Sequence, residues 1–333
     1  MNDTDKYRSL PKIELHLHLE GTAAARTVRR LYERSGRLAP EWTNTPEASG
    51  FTDFGAFVRR YYSVCEAITK ESDFEDFVQD VVDYVKAENL LHCELSWTPF
   101  YYLQKGMNFF KIMERMARKI EDAGLSDTIF FIIDTQRDHG REVAKNVFEK
   151  VFQVLDLNVC GIGLTGEELS VPSADFEYFF KKAAQEFGLG CTAHAGEFGP
   201  PTEIRTCVET LGVSRIGHGI RAVEDAALMD FLFSKNVHLE ICPTSNVKLF
   251  RVKNYERHPV GIFKKRGLSF SINSDDPAIF GSSISGEYEV VEKHLHFTKA
   301  DFQKLLLDAA AAAFVSVERR AALKARILQE FAA

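Results

Sequence analysis

Two histidines stand at alternate positions in the segment "ELHLHLEG", which lies close to the start of the sequence. Ile13, Leu15 and Leu17 keep a period of two through this region, so His16 and His18 share the opposite face of a predicted strand. Two imidazoles at this spacing can bind a single metal ion. An isolated pair of this kind is more often the polar face of a half-exposed strand, so its interpretation depends on the rest of the chain.

Further polar residues stand at the ends of other apolar segments. "TAHAGE" contains His194 and Glu197, "RIGHG" contains His218, and "INSDDP" contains Asp275 and Asp276. Three imidazoles and one carboxylate form a nitrogen and oxygen ligand set that suits a borderline divalent ion. Zinc is the first expectation, and the same ligand types are compatible with iron, cobalt or manganese.

These polar residues belong to a repeating pattern of apolar segments separated by stretches of helical periodicity. The pattern predicts strands at 12–21, 91–97, 128–135, 159–166, 189–196, 215–220, 237–246 and 268–277. Eight strands that alternate with helices predict a (β/α)₈ TIM barrel, which we expect to be one domain over residues 1–333. All strands of such a barrel point the same way, so the polar strand ends meet on the rim where barrel enzymes carry their active sites.

Two stretches depart from this alternation. Residues 36–62 form a long excursion after the first predicted helix, and an insertion on that side of a barrel would cover its mouth as a helical lid. The sequence from Thr298 onward has the composition of additional helices at the carboxyl end. We therefore expect a barrel with a lid after the first strand and extra C-terminal helices.

Composition excludes several functional classes. The 333 residues are 45% hydrophobic and 27% charged, with a net charge of −7 and no basic stripe, which argues against nucleic-acid binding. No apolar run resembles a signal peptide or is long enough to span a bilayer, so no membrane association is expected. Six cysteines without CxxC spacing are typical of reduced thiols. We expect a cytoplasmic protein whose partner is a small molecule.

The other histidines and the middle strands limit the metal site further. No histidine outside the cluster lies at the carboxyl end of a predicted strand, and a structural or surface role is expected for these residues, which are His92, His139, His238, His258, His294 and His296. Glu240 is predicted to lie in the barrel interior and to support a ligand. A two-metal centre bridged by a carboxylated lysine needs a lysine at the end of a middle strand, and "GIGLTGEELS" has none. One metal ion per chain is therefore favoured.

Five segments resemble the signature blocks of the adenosine deaminase family of metal-dependent amidohydrolases. In chain order they are "LPKIELHLHLEG", "TAHAGE", "RIGHG", "CPTSN" and "INSDDP", and they extend from residue 10 to residue 277. Each block is weak alone, but together and in this order they are specific. The resemblance implies one Zn²⁺ per chain with His16, His18, His194 and Asp275 as its ligands.

The resemblance also implies a role for each remaining polar residue in deaminating a 6-aminopurine. Glu197 would donate a proton to N1, and His218 would hold the attacking water and help to deprotonate it. Asp276 would accept from N7, and the backbone of Gly166 would face N3. Asp275 is counted among the catalytic residues because it would bind the metal ion. The expected order of steps is attack at C6, formation of a tetrahedral intermediate and loss of ammonia.

The substrate within this class stays open at this point. A 6-aminopurine nucleoside such as adenosine is the leading expectation, with adenine or 6-amino-6-deoxyfutalosine as alternatives. Glu20 replaces the Asp that contacts the ribose in adenosine deaminases and is familiar from adenine deaminases, whereas "LTGEE" resembles the nucleoside enzymes. Arg59 and Arg60 in the lid are expected to be surface residues, or else to meet an acidic substituent on a larger nucleoside. A catalytically inactive metal-binding relative is disfavoured because every acid, base and ligand position is filled.

Overall fold

The barrel consists of eight parallel strands in one sheet. The computed structural model describes residues 3–44 and 50–332, and these counts refer to that part of the chain. The strands are β1 (Lys12–His18), β2 (Leu90–Trp97), β3 (Ile129–Gln136), β4 (Val159–Thr165), β5 (Gly190–Ala195), β6 (Arg215–His218), β7 (His238–Ile241) and β8 (Ser269–Ile272).

The strands pair in chain order from β1 to β8, and each pair is parallel. The two ends of the sheet meet through backbone hydrogen bonds between β1 and the segment that follows β8. The N–H of His18 donates to the carbonyl of Asp275 (3.0 Å), and the N–H of Asp275 donates to the carbonyl of His16 (3.2 Å). The predicted (β/α)₈ barrel is confirmed.

Helices separate the strands and cover the outside of the barrel. In chain order they are α1 (Asp3–Arg8), α2 (Leu19–Thr22), α3 (Ala25–Arg34), α4 (Phe54–Ala67), α5 (Phe74–Ala87), α6 (Phe100–Gln104), α7 (Phe109–Asp122), α8 (Gly140–Val151), α9 (Glu177–Phe187), α10 (Pro201–Thr206), α11 (Ala226–Ser234), α12 (Pro243–Lys248), α13 (Val260–Arg266), α14 (Pro277–Phe280), α15 (Ile284–Leu295), α16 (Lys299–Ala312) and α17 (Val317–Ala332). The last two are the predicted C-terminal helices, and α16 packs against β8 and β1, where the barrel closes.

Strand β1 is buried on both faces, so its alternating pattern is not that of a half-exposed strand with a solvated polar face. Ile13, Leu15 and Leu17 are almost fully buried, and so are Glu14 and His16 on the opposite face. A strand of a closed barrel has one face toward the helices and the other toward the barrel interior. The polar face of β1 is therefore enclosed within the barrel, and His16 does not lie on a solvated surface.

The structure corrects the predicted ends of several strands. The first was predicted to extend to residue 21 and the sixth to residue 220, but β1 ends at His18 and β6 at His218. The predicted seventh strand extended to residue 246, but β7 ends at Ile241 and helix α12 begins at Pro243. Proline is favoured at the first position of a helix because its φ angle is already helical and its missing N–H needs no partner there. The predicted eighth strand extended to residue 277, but β8 ends at Ile272 because Asp275 has a φ of +64°, which no extended strand allows.

Helix α4 contains the carboxyl-terminal part of the predicted lid, residues 54–62. The Asp53 side chain caps this helix by accepting from the N–H of Ala56, and the helix continues to Ala67, beyond the predicted end of the insertion at residue 62. Phe57 and Tyr61 of α4 line the pocket at the barrel mouth. Residues 45–49 of the predicted insertion lie outside the described residues.

Two expectations from composition can be compared with the structure. The six cysteines are buried and unpaired, as expected for reduced thiols. Among the described residues, no helix combines the length and apolar character that a bilayer crossing requires.

The ring of Phe314 lies at the amino-terminal end of the barrel. Two glycines of neighbouring strands, Gly161 and Gly190, face this ring, and a Cβ atom added at Gly190 would overlap it. The ring also stacks on the guanidinium of Arg215, whose central carbon lies 3.7 Å from the ring centroid. The ring thus packs against Gly190 and Arg215 at the end of the barrel opposite the polar rim, where it lines a cavity of about 1070 Å³.

We predict that Gly190→Ala destabilises the protein without changing its polar rim. The added methyl group overlaps Phe314, and overpacking of this kind typically costs about 1–3 kcal/mol. Urea unfolding followed by circular dichroism measures the change. Gly261→Ala is the control, because an added Cβ there meets only Leu295 at 3.7 Å. Equal unfolding free energies for the two variants would show that Phe314 moves away at no cost.

Candidate active site

Three histidines and one aspartate meet on the carboxyl-terminal rim of the barrel. One ring nitrogen from each of His16, His18 and His194 lies within 4.8 Å of the others. Nε2 of His16 and Nε2 of His18 lie 3.5 and 3.3 Å from the same oxygen of Asp275. Nε2 of His16 is buried and finds no hydrogen-bond partner among the described residues, which fits an atom that binds a metal ion. The donor set suits zinc.

Left-handed backbone conformations turn two side chains onto the rim, one of the four above and that of the last residue of β6. His218 and Asp275 have φ values of +61° and +64°, which are uncommon for residues other than glycine. Backbone hydrogen bonds hold both turns: Asp275 donates to His16 (3.2 Å), and Gly219 donates to Ala195 (3.1 Å). At both positions the backbone turns out of the extended conformation, and the side chain is directed onto the rim.

Glu240 fixes the hydrogen position on His16. Its carboxylate lies 2.8 Å from Nδ1 of His16, and it also accepts from Nε of Arg215 (2.7 Å) and from the hydroxyl of Thr192 (3.0 Å). Burial alone would raise the pKa of Glu240, but Arg215 and the His16 hydrogen bond hold that pKa at about 2. An ionised carboxylate only accepts, so Nδ1 of His16 carries the hydrogen and Nε2 is left free for a metal.

A chain of hydrogen bonds fixes the hydrogen position on His218 in the same way. The backbone N–H of Val260 donates to Nδ1 of His258 (3.2 Å), so His258 carries its hydrogen on Nε2. That nitrogen donates to Oδ1 of Asn246 (3.1 Å), and Nδ2 of Asn246 then donates to Nδ1 of His218 (3.2 Å). The hydrogen of neutral His218 is therefore on Nε2.

This hydrogen points toward the acidic groups of the rim. Nε2 of His218 lies 3.6 Å from Glu197 and 4.0 Å from Asp275. Burial lowers the pKa of His218 to about 3, so the ring is neutral at neutral pH. In this form His218 can hold an attacking oxygen by donating to it, and accepting a proton at Nε2 would first require loss of the hydrogen already there.

Glu197 and Asp276 are buried acids with unused oxygens. Burial, followed by the charge of Asp275, raises the pKa of each carboxyl well above its ordinary value. Oε1 of Glu197 and Oδ1 of Asp276 have no hydrogen-bond partner among the described residues. Both side chains line a pocket of about 680 Å³ that also contains His18, His194 and Asp275. Protonated acids that face a pocket are suited to donate to a ligand.

Gly166 lines the same pocket at the end of β4. Its φ is +81°, and a Cβ atom there would lie 3.0 Å from the backbone nitrogen of Arg137 and overlap Asp138. Only glycine fits this turn without strain. The backbone at Gly166 is thereby brought to the pocket wall, where the resemblance places the contact with N3.

Glu20 is buried beneath the lid, and its carboxylate accepts from Tyr102 (2.9 Å) and from Tyr61 (3.3 Å). Burial raises the pKa of Glu20 to about 7. Tyr61 lines the pocket, so Glu20 supports a pocket wall through that ring. Its predicted direct contact with substrate stays a prediction.

Of the two lid arginines, Arg59 is exposed and Arg60 is half-buried. The side chain of Arg59 is 73% exposed, and the guanidinium of Arg60 lies over the rings of Trp42 and Phe51 at 5.1 and 5.0 Å. Neither arginine lines the pocket. The exposure of Arg59 agrees with the surface role expected for it, whereas Arg60 packs within the lid.

Sequence reasoning missed several residues that support the rim. His258 and Asn246 orient His218, and the only sequence signal was that Asn246 falls within "CPTSN". Arg251 lines the pocket, with its guanidinium 4.3 Å from the ring of Phe198. Glu168 contacts the turn that carries Glu197. None of these residues has a spacing along the chain that reveals its contact.

We predict that Glu240→Gln weakens metal binding. Glutamine is neutral and has one acceptor oxygen, so its side chain cannot accept from both Arg215 and His16 as the carboxylate does. The ring of His16 then loses the partner that orients it. Loss of a partner that orients a ligand typically lowers metal affinity by about 10–100-fold. Competition with a chelator measures the affinity, and circular dichroism checks folding.

The matched control is Glu88→Gln. Glu88 is also a buried carboxylate, and it accepts from the backbone N–H of Ser285 (3.0 Å) outside the rim. An unchanged metal affinity in Glu240→Gln would show that His16 needs no such partner.

Comparisons with known proteins agree with this geometry. The family described as adenosine deaminase matches residues 11–330. An adenine deaminase from Vibrio parahaemolyticus is 32% identical over 326 residues, covering 97% of this chain and 96% of that protein. The crystal structure of an adenine deaminase from Arthrobacter aurescens has a TM-score of 0.90 at 31% identity, covering 98% of this chain and 100% of that one. A zinc-bound amidohydrolase from Burkholderia ambifaria has a TM-score of 0.91 at 25% identity, covering 100% and 93%.

The matches extend over almost the whole chain and include both sequence and fold. They confirm the resemblance predicted from the five sequence blocks and the expected activity class of hydrolytic purine deamination. The chain belongs to the adenosine deaminase family.

Proposed function

We propose that this protein hydrolyses free adenine to hypoxanthine and ammonia with one bound zinc ion. The observation that carries the proposal is the pair of buried acids, Glu197 and Asp276, whose unpartnered oxygens face one pocket beside the histidine cluster. A 6-aminopurine ring offers acceptor nitrogens at N1 and N7 on opposite sides of its amino group. Two protonated acids on the pocket wall complement these nitrogens.

Four residues would hold the zinc ion, namely His16, His18, His194 and Asp275. The free Nε2 of buried His16 and the ligand types fit zinc, and the related amidohydrolase from Burkholderia ambifaria binds zinc. A bound zinc ion lowers the pKa of water from about 15.7 to about 7 and so supplies a nucleophile at neutral pH. Thr165 and Gly166 stand at the end of β4, where a lysine that bridges two metals would be expected. One ion per chain is therefore proposed.

Glu197 would act as the proton donor. Burial and the charge of Asp275 raise the pKa of Glu197, which favours the protonated carboxyl, and N1 must gain a proton before C6 accepts a nucleophile. His218 would donate through Nε2 to the attacking oxygen and hold it against the ring. The proton on N1 and the hydrogen bond from His218 together favour addition at C6. The added hydroxyl then loses its proton as the 6-amino group gains one, so a 6-oxo group remains and ammonia leaves, and the other proton of the attacking water replaces the one that Glu197 gave to N1.

Asp276 would donate a hydrogen bond to N7, which is the reverse of the direction predicted from the sequence. The resemblance implies that Asp276 accepts from N7. Burial and the charge of Asp275 raise the pKa of Asp276, which favours the protonated carboxyl. N7 of an adenine that carries its hydrogen on N9 has a lone pair and no hydrogen, so we propose that Asp276 donates to it.

Free adenine is favoured over a nucleoside for two reasons. The relatives from Vibrio parahaemolyticus and Arthrobacter aurescens are adenine deaminases. Glu20 is engaged by Tyr61 and Tyr102, which leaves it poorly placed to accept from a ribose hydroxyl. The second candidate is a 6-aminopurine nucleoside, because the pocket volume of about 680 Å³ accommodates more than a purine base.

We predict that the zinc-loaded protein deaminates adenine with the highest kcat/KM among three substrates. Adenine, adenosine and 6-amino-6-deoxyfutalosine are compared at equal concentration by loss of absorbance in the adenine band, with ammonia release measured in parallel. A higher kcat/KM for either nucleoside would replace adenine with the second candidate. An absence of turnover for all three would contradict the proposed activity.

We predict that Glu197→Gln keeps its metal but lowers kcat by roughly 10²-fold or more, because glutamine cannot deliver a proton to N1. Elemental analysis measures the metal, and steady-state kinetics measure kcat. Glu209→Gln, on the exposed turn that follows α10, is the control and should retain wild-type kcat. Loss of the metal from Glu197→Gln would mean that Glu197 is a ligand.

A further inference from the structure

A buried carboxylate, Glu168, lies beneath the turn that follows β5. Its side chain is only 4% exposed, although the residue belongs to the loop after β4. One oxygen accepts from the N–H of Gly196 (2.6 Å), and the other accepts from Glu197 (2.9 Å) and Phe198 (2.8 Å). Three consecutive backbone donors thus point at one carboxylate.

The turn is shaped to enclose this charge. Successive N–H groups that converge on one point form an anion-binding concavity, and hydrogen bonds to an ionised group are stronger than those between neutral groups. Gly199 closes the concavity, because a Cβ atom there would lie 2.6 Å from the Glu168 carboxylate. Each oxygen of Glu168 is engaged, so the side chain holds residues 196–198 at a fixed distance from the β4 loop.

The two segments that Glu168 joins both contribute to the pocket. Gly166 lies two residues before Glu168, and Glu197 lies within the enclosed turn. In the proposed function, one segment faces N3 of the purine and the other delivers a proton to N1. The two groups must therefore fit the same ring at the same time.

We propose that Glu168 is a positioning residue that sets the distance between the proton donor Glu197 and the backbone at Gly166. This inference rests on the proposed function for its chemistry. Glu168 also lines the pocket, but both of its oxygens accept from backbone N–H groups, so it would act through Glu197 and not on the substrate directly. A role limited to folding would instead affect stability alone, and the folded fraction would keep wild-type kinetics.

Glu168→Gln tests the proposal with little change in size. The amide offers one acceptor oxygen and an NH₂ group, so at least one backbone N–H loses its partner and the turn moves. Misplacement of a catalytic group by about 1 Å can cost on the order of 10²-fold in rate. We expect kcat to fall by at least about tenfold while KM changes by less than about threefold, since the metal site and most pocket contacts remain.

The control is Glu186→Gln on α9, where the carboxylate is 61% exposed, and it should keep kcat within about twofold of wild type. Metal content and circular dichroism should match wild type in both variants. Hydrogen exchange should be faster at the amides of residues 196–198 in Glu168→Gln alone. A Glu168→Gln variant with wild-type kcat, or one that loses kcat together with its metal, would overturn the proposal.

Gly199→Ala is a second test that keeps the charge of Glu168. The added Cβ displaces the carboxylate, so this variant should reproduce the loss of kcat, and Gly261→Ala should not. Wild-type kcat in Gly199→Ala would contradict the proposal even if Glu168→Gln failed to fold. The kinetics use whichever 6-aminopurine the wild-type protein converts. Failure of the adenine assignment is thus distinguished from failure of the positioning role, and hydrogen exchange tests the contact independently of turnover.

Discussion

The carboxylate of Glu240, shared between His16 and Arg215, is the interaction on which the active site depends. A buried charge is costly unless an opposite charge or a hydrogen bond accompanies it. Arg215 pairs with Glu240 at 2.7 Å and with Glu94 at 2.6 Å, and Glu94 in turn accepts from the backbone of Phe314 (2.7 Å). Alternating charges therefore extend from the metal ligands to the opposite end of the barrel. The orientation of His16 is tied in this way to the packing around Phe314.

The presence or absence of such a partner for a buried charge also explains why the pKa values of these acids differ. Glu240 faces Arg215 and His16 and has its pKa held at about 2, whereas Glu197 and Asp276 face the pocket, where burial raises their pKa values. Under the proposed function, the ionised Glu240 would orient His16, and Glu197 and Asp276, whose pKa values are raised, would donate to the substrate. This division of roles is what the hydrolytic deamination of a purine requires.

The fold and the ligand cluster could be predicted from the sequence because their signals are local. The alternation along β1 placed His16 in the barrel interior, and the barrel pattern brought the polar strand ends together. The positions that the sequence left open depend on contacts between distant segments. Glu168 meets its three donors about thirty residues away, and His258 orients His218 through Asn246, so neither role leaves a periodic signal. The end of β7 was misplaced because helix α12, which begins at Pro243, follows the strand with only Cys242 between them.

The central claim is that one metal ion is held by three imidazoles and Asp275, with Glu197 left free for proton transfer. X-ray absorption at the zinc edge, measured on protein loaded with one equivalent of zinc, tests this claim most directly. We predict nitrogen and oxygen neighbours at about 2.0–2.2 Å and multiple scattering from three imidazole rings. A sulfur neighbour at about 2.3 Å, fewer than three imidazoles, or a second tightly bound zinc ion would contradict the account.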